Sequence, residues 1–325
     1  MLPEQVKMLC WEGYMNELEE WLEQIDCEGA LEPVSADASF RKYYRLKSSM
    51  HSGIVMDASE QKESLPPFLD LNLRLYEANV RVPKIFTYNK HEGFVFMEDL
   101  GSAHLIDKVK EGDFETYYRK AIESIIKMQD TDTQDLPEYD ADFLRFEMDL
   151  MQEWYLEKHL GVSLSDEQQA ILNTALDAIT SEVLTQPQSM FVHRDYHSRN
   201  LMLSPCNDEI VVIDYQDARV GAVTYDLVSL LRDVYVELHP NDVERMALGF
   251  RDSKGLDVDD ETFMRWFDFM GLQRHIKILG IFARLHLRDG KEGYLKDIPL
   301  TLKYVIDVGS KYSELNGLIL LLKSV

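Results

Sequence analysis

The sequence predicts an α+β chain of two lobes, a small strand-rich lobe over residues 1–100 and a larger helical lobe over residues 101–325. Three observations carry this expectation. Short β-type runs bounded by turn formers gather in the first hundred residues, helical periodicity dominates the remainder, and one apolar hairpin interrupts the helices near residues 201–213. At 325 residues the chain is long for one core and sufficient for two packed units.

The elements follow in order. Val6, Cys10, Tyr14, Leu18, Trp21, Leu22 and Ile25 fall on one helical stripe, with Glu17, Glu19, Glu20 and Glu23 elsewhere. Residues 1–26 are therefore expected to form an amphipathic helix docked through that stripe. Residues 34–57 read as β-rich, because Phe40 to Leu46 alternate charge with aromatic and Gly53-Ile54-Val55-Met56 follows a polar turn. Pro66-Pro67 open a helix to about Asn79; proline is tolerated in a first turn, where its missing N–H has no partner to lose. Val82-Pro83 ends that helix and a strand begins near Lys84. Gly93-Phe94-Val95-Phe96-Met97 reads as a buried strand stopping at Glu98-Asp99-Leu100-Gly101, which places a hinge near residues 97–101.

Beyond the hinge, Phe114, Tyr118, Ala121, Ile122 and Ile125 recur at helical spacing. Ser165 with Gln168 is a capping box before Ile171, Leu172, Ala175, Leu176, Ile179 and Val183. A long helix or helix pair spans residues 261–286, and Leu318 to Leu322 is expected to be a docked C-terminal helix. No apolar run approaches the ~18 residues of a membrane span. No basic stretch leads into an apolar segment at the N-terminus, and Cys10, Cys27 and Cys206 lack metal or disulfide spacing, so a cytoplasmic protein is expected. Apolar residues at 45% and charged residues at 28% are ordinary for a globular chain. The net charge of −24 argues against nucleic acid or an anionic membrane as partner, since both require a basic footprint. No obligate protein partner is evident.

The chemistry concentrates in His193-Arg194-Asp195-Tyr196-His197-Ser198-Arg199-Asn200, an apolar hairpin, and Ile213-Asp214-Tyr215-Gln216-Asp217. Leu201-Met202-Leu203 and Ile210-Val211-Val212-Ile213 flank the turn-rich Ser204 to Glu209, a hairpin that would bring Asn200 and Asp214 to one end. Mg-assisted phosphoryl transfer needs an acceptor for the nucleophile's proton and oxygen ligands for metal on the phosphates. Asp195, Asn200 five residues on and Asp214 nineteen residues on have that spacing. The same residues admit a second reading, because His193, Asp195 and His197 alternate and on a strand would share a face as a transition-metal site. Asp226, ahead of an apolar helix, is expected to cap that helix.

With these residues placed, the chain resembles the aminoglycoside phosphotransferase and choline kinase superfamily of protein-kinase-like folds. Within it the likeness is to the bacterial anomeric N-acetylmuramate/N-acetylglucosamine kinases of cell-wall recycling. It is carried by Asp37 to Arg45, Met56-Asp57-Ala58, the run from His193 to Asp217, Gly271 to Leu285, and Arg288 to Pro299. The resemblance implies ATP and Mg²⁺ as cofactors and a small-molecule sugar as acceptor. It implies Asp195 as the group that takes the hydroxyl proton, Asn200 and Asp214 as metal ligands, Asp217 assisting through water, and Asp226, as an alternative to capping, bracing the backbone of the loop. Ser39, Phe40, Arg41 and Lys42 would meet the ATP phosphates, and backbone groups of Glu98, Asp99 and Leu100 the adenine. His197, Arg199, Gln273, Arg274 and His275 are the candidate acceptor contacts, the last three on a helix expected to keep one solvated face.

The chain departs from protein kinases in several places. His197 stands two residues after Asp195, Asp214 continues as Tyr-Gln-Asp, and no Gly-x-Gly-x-x-Gly loop is present. Ser35, Ala36, Ala38 and Ser39 are small enough for backbone N–H groups to approach phosphate instead. Met56 occupies the strand position where a phosphate-binding Lys is expected, leaving Arg41 or Lys42 to supply that cation, with Lys62 as an outsider. An aminoglycoside or choline-type phosphotransferase and a kinase-like binding module without turnover are the rival readings.

Overall fold

A computed structural model describes residues 17–35, 41–48, 52–112 and 114–325. Its front is one antiparallel sheet of five strands, β1 (Ala30–Ser35), β2 (Lys42–Lys47), β3 (Ser52–Asp57), β4 (Ile85–Asn89) and β5 (Phe94–Met97). The spatial order is β1-β2-β3-β5-β4. Alternation along β5 divides its side chains between two cores, as the period of two requires. Phe94 and Phe96 join Tyr44, Leu46 and Val55 on one face, while Val95 and Met97 join Met56 on the other.

The helix over residues 17–24, α1, covers the first face through Leu18, Trp21 and Leu22, with the Trp21 ring 5.6 Å from Phe94. This part of the amphipathic stripe packs within the chain; Val6, Cys10 and Tyr14 lie outside the described residues. Helix α2 (Leu65–Glu77) closes the second face with Leu65, Phe68, Leu71 and Leu75, its two prolines in the first turn.

From Leu105 onward helices dominate. They are α3 (Leu105–Glu111), α4 (Phe114–Met128), α5 (Ala141–Leu150) running into a π-helical segment (Met151–His159), and α6 (Asp166–Val183). Then come α7 (Tyr225–Leu231), α8 (Pro240–Lys254), α9 (Asp260–Asp289), α10 (Ile298–Gly309) and α11 (Asn316–Ser324). The Ser165/Gln168 capping box forms at the start of α6, and α11 buries Leu318, Ile319, Leu321 and Leu322. Among the described residues, no helix is long and apolar enough to cross a membrane.

Residues 261–286 belong to a single helix of 30 residues, and its middle differs from expectation. Every residue from Phe267 to Gly280 is buried, polar ones included, so no solvated face exists there. The cause is position: α9 runs through the middle of the helical lobe, with α5, α6, α7, α10 and the π-helical segment packed around it. Gly280 permits the closest of these approaches. A Cβ there would overlap the Leu150 carbonyl and lie 2.6 Å from the Met151 nitrogen, at the junction of α5 with the π-helical segment.

Two small ladders complete the fold. β7 (Leu201–Leu203) pairs antiparallel with β8 (Ile210–Val212), the expected hairpin. β6 (Met190–Val192) pairs with β9 (Arg219–Gly221), a partner too short to stand out in the sequence.

Gly280→Ala is expected to destabilise the protein by about 1–3 kcal/mol, because the contact is backbone and cannot rotate away. Urea denaturation should show a lower midpoint with an unchanged slope.

Candidate active site

The loop between β6 and β7 is shaped by two buried carboxylates. Asp226 on α7 accepts the N–H groups of His193 at 2.8 Å and Arg194 at 3.1 Å. Asp233, just past α7, accepts the N–H groups of Ser198 at 2.9 Å and Tyr235 at 2.9 Å. Of the two roles open to Asp226, loop bracing is the one observed; its side chain makes no capping bond. Burial pushes the Asp226 carboxyl up to about 6, with His193 and the two N–H donors pulling the other way.

His193 ties this loop to the next strand. Its Nδ1 accepts the Asp195 N–H at 3.2 Å, so the ring proton sits on Nε2, which donates to the Ile213 carbonyl at 2.9 Å. Both ring nitrogens are engaged and residues 193–197 form no strand. The alternating His193, Asp195, His197 metal site is thereby removed.

The β7–β8 register sets Asn200 beside Asp214. The Ile213 N–H donates to the Asn200 carbonyl at 3.2 Å. The Asn200 amide nitrogen donates to the Asp195 carbonyl and to Asp214 Oδ2, each at 3.1 Å. Gln216 donates to Asp214 Oδ1 at 2.9 Å. Arg194 and Asp214 hold left-handed backbones, φ +79° and +67°, a conformation that costs a non-glycine residue on the order of 1 kcal/mol and that these bonds maintain. Asp217 lies apart, on a cleft of about 530 Å³ walled by Pro66, Arg74, Leu136, Arg194 and Arg219, which neither Asn200 nor Asp214 lines.

Beneath the loop is a charged network that the sequence reading missed. Glu147 on α5, nearly fully buried, accepts from Arg194 at 2.8 Å, from Gln273 at 3.3 Å and from the Tyr139 hydroxyl. Lys277 on α9 donates to the Tyr225 hydroxyl at 2.7 Å and lies 3.6 Å from Glu147. Burial opposes the charge on Glu147, but Lys277 and then Arg194 outweigh it and hold its carboxyl below the ordinary range. Burial also opposes the charge on Asp195; Lys277, then His197, Arg274 and Arg194, overcome it and hold that carboxyl at about 2. A lysine within the apolar run from Ile276 to Ala283 was the available signal, because a lone charge in such a run requires a buried partner.

The acceptor candidates separate. Gln273 donates to Glu147 and to the Leu144 carbonyl, and His275 donates from Nε2 to the Arg232 carbonyl at 2.9 Å while stacking on Tyr304. Burial pushes the His275 ring down to about 3. Both are interior residues, which corrects the expectation that they face a substrate. Arg274 is 1% exposed, and its Nε and Nη1 have no hydrogen-bond partner. His197 and Arg199 do face one region with residues not foreseen. The Arg199 guanidinium lies 3.5 Å over the Tyr235 ring and 4.0 Å from Asp297, and the His197 ring meets the Tyr235 edge at 5.1 Å. Phe282 and Tyr294 continue the aromatic wall, 5.2 Å apart. Burial lowers the His197 ring below its ordinary value, against the pull of Asp233 and Asp195.

On the sheet side, Met56 is fully buried and carries no charge, while Tyr43 stands opposite it in the β2–β3 register. Lys42 pairs with Glu60 at 2.7 Å and Lys62 lies 3.7 Å from Glu92. Arg41 lies 5.2 Å over the Phe68 ring and bonds to the Tyr43 hydroxyl, which also feels the charge of Asp214. Asn72 of α2 donates to the Tyr215 hydroxyl at 2.7 Å and to the Pro83 carbonyl at 3.1 Å. At the hinge, the Glu98 N–H is engaged by the Lys84 carbonyl at 2.9 Å and Asp99 pairs with Arg45 at 2.6 Å; Leu100 is buried. Ser39 and Phe40, with Ala36 and Ala38, lie outside the described residues.

This geometry can be set beside known proteins. The profile of the phosphotransferase enzyme family matches residues 30–267. An N-acetylmuramate/N-acetylglucosamine kinase of Pseudomonas aeruginosa is 38% identical over 327 residues, spanning 97% of this chain and 95% of the relative. A kinase of the same name from Neisseria meningitidis is 36% identical, spanning 94% of each. Among solved structures, ADP-bound aminoglycoside phosphotransferase APH(2'')-Ib superposes with a TM-score of 0.62 at 15% identity, covering 90% of this chain and 97% of that one. Choline kinase LicA from Streptococcus pneumoniae gives 0.63 at 13% identity, covering 92% and 99%. The fold is protein-kinase-like.

Removing one member of the buried network should be costly. Lys277→Met is expected to lower stability by on the order of 3 kcal/mol, since it withdraws a counter-charge from buried Glu147. A double-mutant cycle with Glu147→Gln, read by chemical denaturation, should show the paired change costing less than the sum of the two singles.

Proposed function

The chain belongs to the phosphotransferase enzyme family, and we propose that it moves the γ-phosphoryl group of ATP to the anomeric hydroxyl of N-acetylmuramate and N-acetylglucosamine. The observation that carries this reading is Asp195, half-buried and ionised, beside the hydrogen-bonded pair Asn200 and Asp214. The names of the two relatives that span nearly the whole chain support the acceptor. ATP as donor and sugars of cell-wall recycling as acceptors imply a cytoplasmic reaction.

Asp195 would orient the incoming hydroxyl and accept its proton. A carboxyl held at about 2 is a weak base, which suits an anomeric hydroxyl, made more acidic than an ordinary alcohol by the ring oxygen. Most of the rate would then come from positioning and charge neutralisation. The donor set fits Mg²⁺: Asn200 bonds to Asp195 and Asp214 through its amide nitrogen, so its carbonyl oxygen can face a metal beside the exposed Asp214 carboxylate, and hard cations prefer such oxygens. Bound there, Mg²⁺ would neutralise charge on the β- and γ-phosphoryl oxygens. His197 would offer the acceptor a hydrogen bond. Arg41 is the cation best placed to replace the missing strand lysine, since its Tyr43 partner lies opposite Met56 and within the field of Asp214. Backbone groups of residues 98–100 other than the engaged Glu98 N–H would meet adenine.

Asp195→Asn is expected to lower kcat by about 10²–10⁴-fold while Mg·ATP still binds, and Asp214→Asn to abolish Mg-dependent turnover with the fold intact. Because a carboxylate with a depressed pKa stays ionised down to that pKa, kcat should show no acid limb from the base above about pH 3. Phosphorus NMR should identify a sugar-1-phosphate; a 6-phosphate would retain the kinase and reject the anomeric assignment. Turnover of an aminoglycoside or choline in place of both sugars would reject the acceptor.

Arg41→Ala should raise the KM for ATP by about tenfold or more, as expected for loss of a charge-assisted phosphate contact. Lys42→Ala and Lys62→Ala should change it less. Equal ATP titrations for all three variants and the parent would exclude Arg41 from that role.

A further inference from the structure

We infer that Arg199 forms a carboxylate-binding subsite that reads the lactyl group of N-acetylmuramate, and that Asp297 serves as its stand-in partner when the sugar lacks that group. The inference rests on the acceptor assignment above and explains how one site could take both an anionic and a neutral sugar.

The placement comes first. Arg199 follows Asp195 by four residues and immediately precedes Asn200, so it projects from the loop that would hold the reacting hydroxyl. A sugar with its anomeric oxygen at Asp195 presents its 3-substituent across the ring, toward the neighbouring wall. That wall is Tyr235, Phe282 and Tyr294, an aromatic surface suited to a sugar face. The guanidinium is stacked 3.5 Å over Tyr235. Stacking fixes its plane, which lowers the entropy lost when a planar carboxylate binds at its edge. The platform is itself held, because Asp233 accepts the N–H groups of both Tyr235 and Ser198 and so ties wall and loop to one carboxylate.

The counter-charge comes second. Asp297 lies 4.0 Å from Arg199, the outer limit of an ion pair, and its buried Oδ2 has no hydrogen-bond partner. Arg199 keeps 40% of its side-chain surface exposed. This is a loose pair whose cation can turn to a ligand. A site built to bond a polar group ordinarily rejects the analogue lacking it, since its own polar atoms are left unpaired. Asp297 removes that penalty for N-acetylglucosamine. In a protein of net charge −24, a local cation is also what an anionic substrate requires.

The test is the ratio of kcat/KM for N-acetylmuramate to that for N-acetylglucosamine, measured in the parent, Arg199→Gln and Asp297→Asn. Arg199→Gln should lower the ratio by about tenfold or more, the loss of one charge-assisted recognition contact. Asp297→Asn should raise it by about threefold or more, because the competing carboxylate is gone. Opposite shifts are something that general damage to the site would not produce. Should Arg199→Gln fail to fold, the Asp297→Asn arm still decides. An unchanged ratio, or shifts in the same direction, in an enzyme active on these sugars overturns the subsite alone. A parent enzyme that phosphorylates neither sugar overturns the acceptor assignment and the subsite with it.

Discussion

Two buried carboxylates, one in the first turn of α7 and one just past its end, take four backbone N–H groups, and the candidate site depends on that arrangement. The loop from His193 to Asn200 has no ladder of its own, so its N–H groups need partners supplied from elsewhere. Asp226 holds the entry to the loop, Asp233 its far end, and α7, every residue of which is buried, fixes the distance between them. His193 then passes the constraint to Ile213, one residue before Asp214. The relative positions of Asp195, Asn200 and Asp214 are thus set by packed helix rather than by the loop.

Electrostatics adds a second layer. Lys277 and Glu147 are buried under the loop and half-buried Arg194 reaches Glu147 from the loop itself, so these charges interact more strongly than they would in water. Lys277, with His197, Arg274 and Arg194, leaves an Asp195 that is ionised at any working pH yet weakly basic. A group of that kind favours orientation over proton abstraction, and it limits the chemistry to hydroxyls that part with a proton readily.

What could be read from the sequence was local. The Asp195, Asn200 and Asp214 spacing, the hairpin between them, the prolines opening α2 and the capping box of α6 each depend on residues close in the chain. What could not be read was set by distant neighbours. Periodicity shows one apolar face, and α9 is packed on all sides, so the polar residues Gln273 and His275 could not be told from a solvated stripe. Glu147 sits in an ordinary amphipathic helix and becomes informative only beside Lys277. β9 is three residues long and is defined by distant partners, β6 and the bridge to Glu138. Arg199 and Asp297 were separated by nearly a hundred positions, and only the turn over Glu292–Asp297 brings them together.

The bond between Asn72 and Tyr215 has a consequence for how the two halves of the molecule communicate. Protein kinases join the corresponding helix to the sheet by a lysine–glutamate ion pair, which can be made or broken as that helix moves. Here the helix is pinned by an uncharged amide to the residue following Asp214, with Phe68 stacked 5.3 Å from the same ring. Such a joint has no charge for salt to screen or for a phosphate group to compete with. It ties helix and sheet through packing and an amide bond, an axle rather than a clutch.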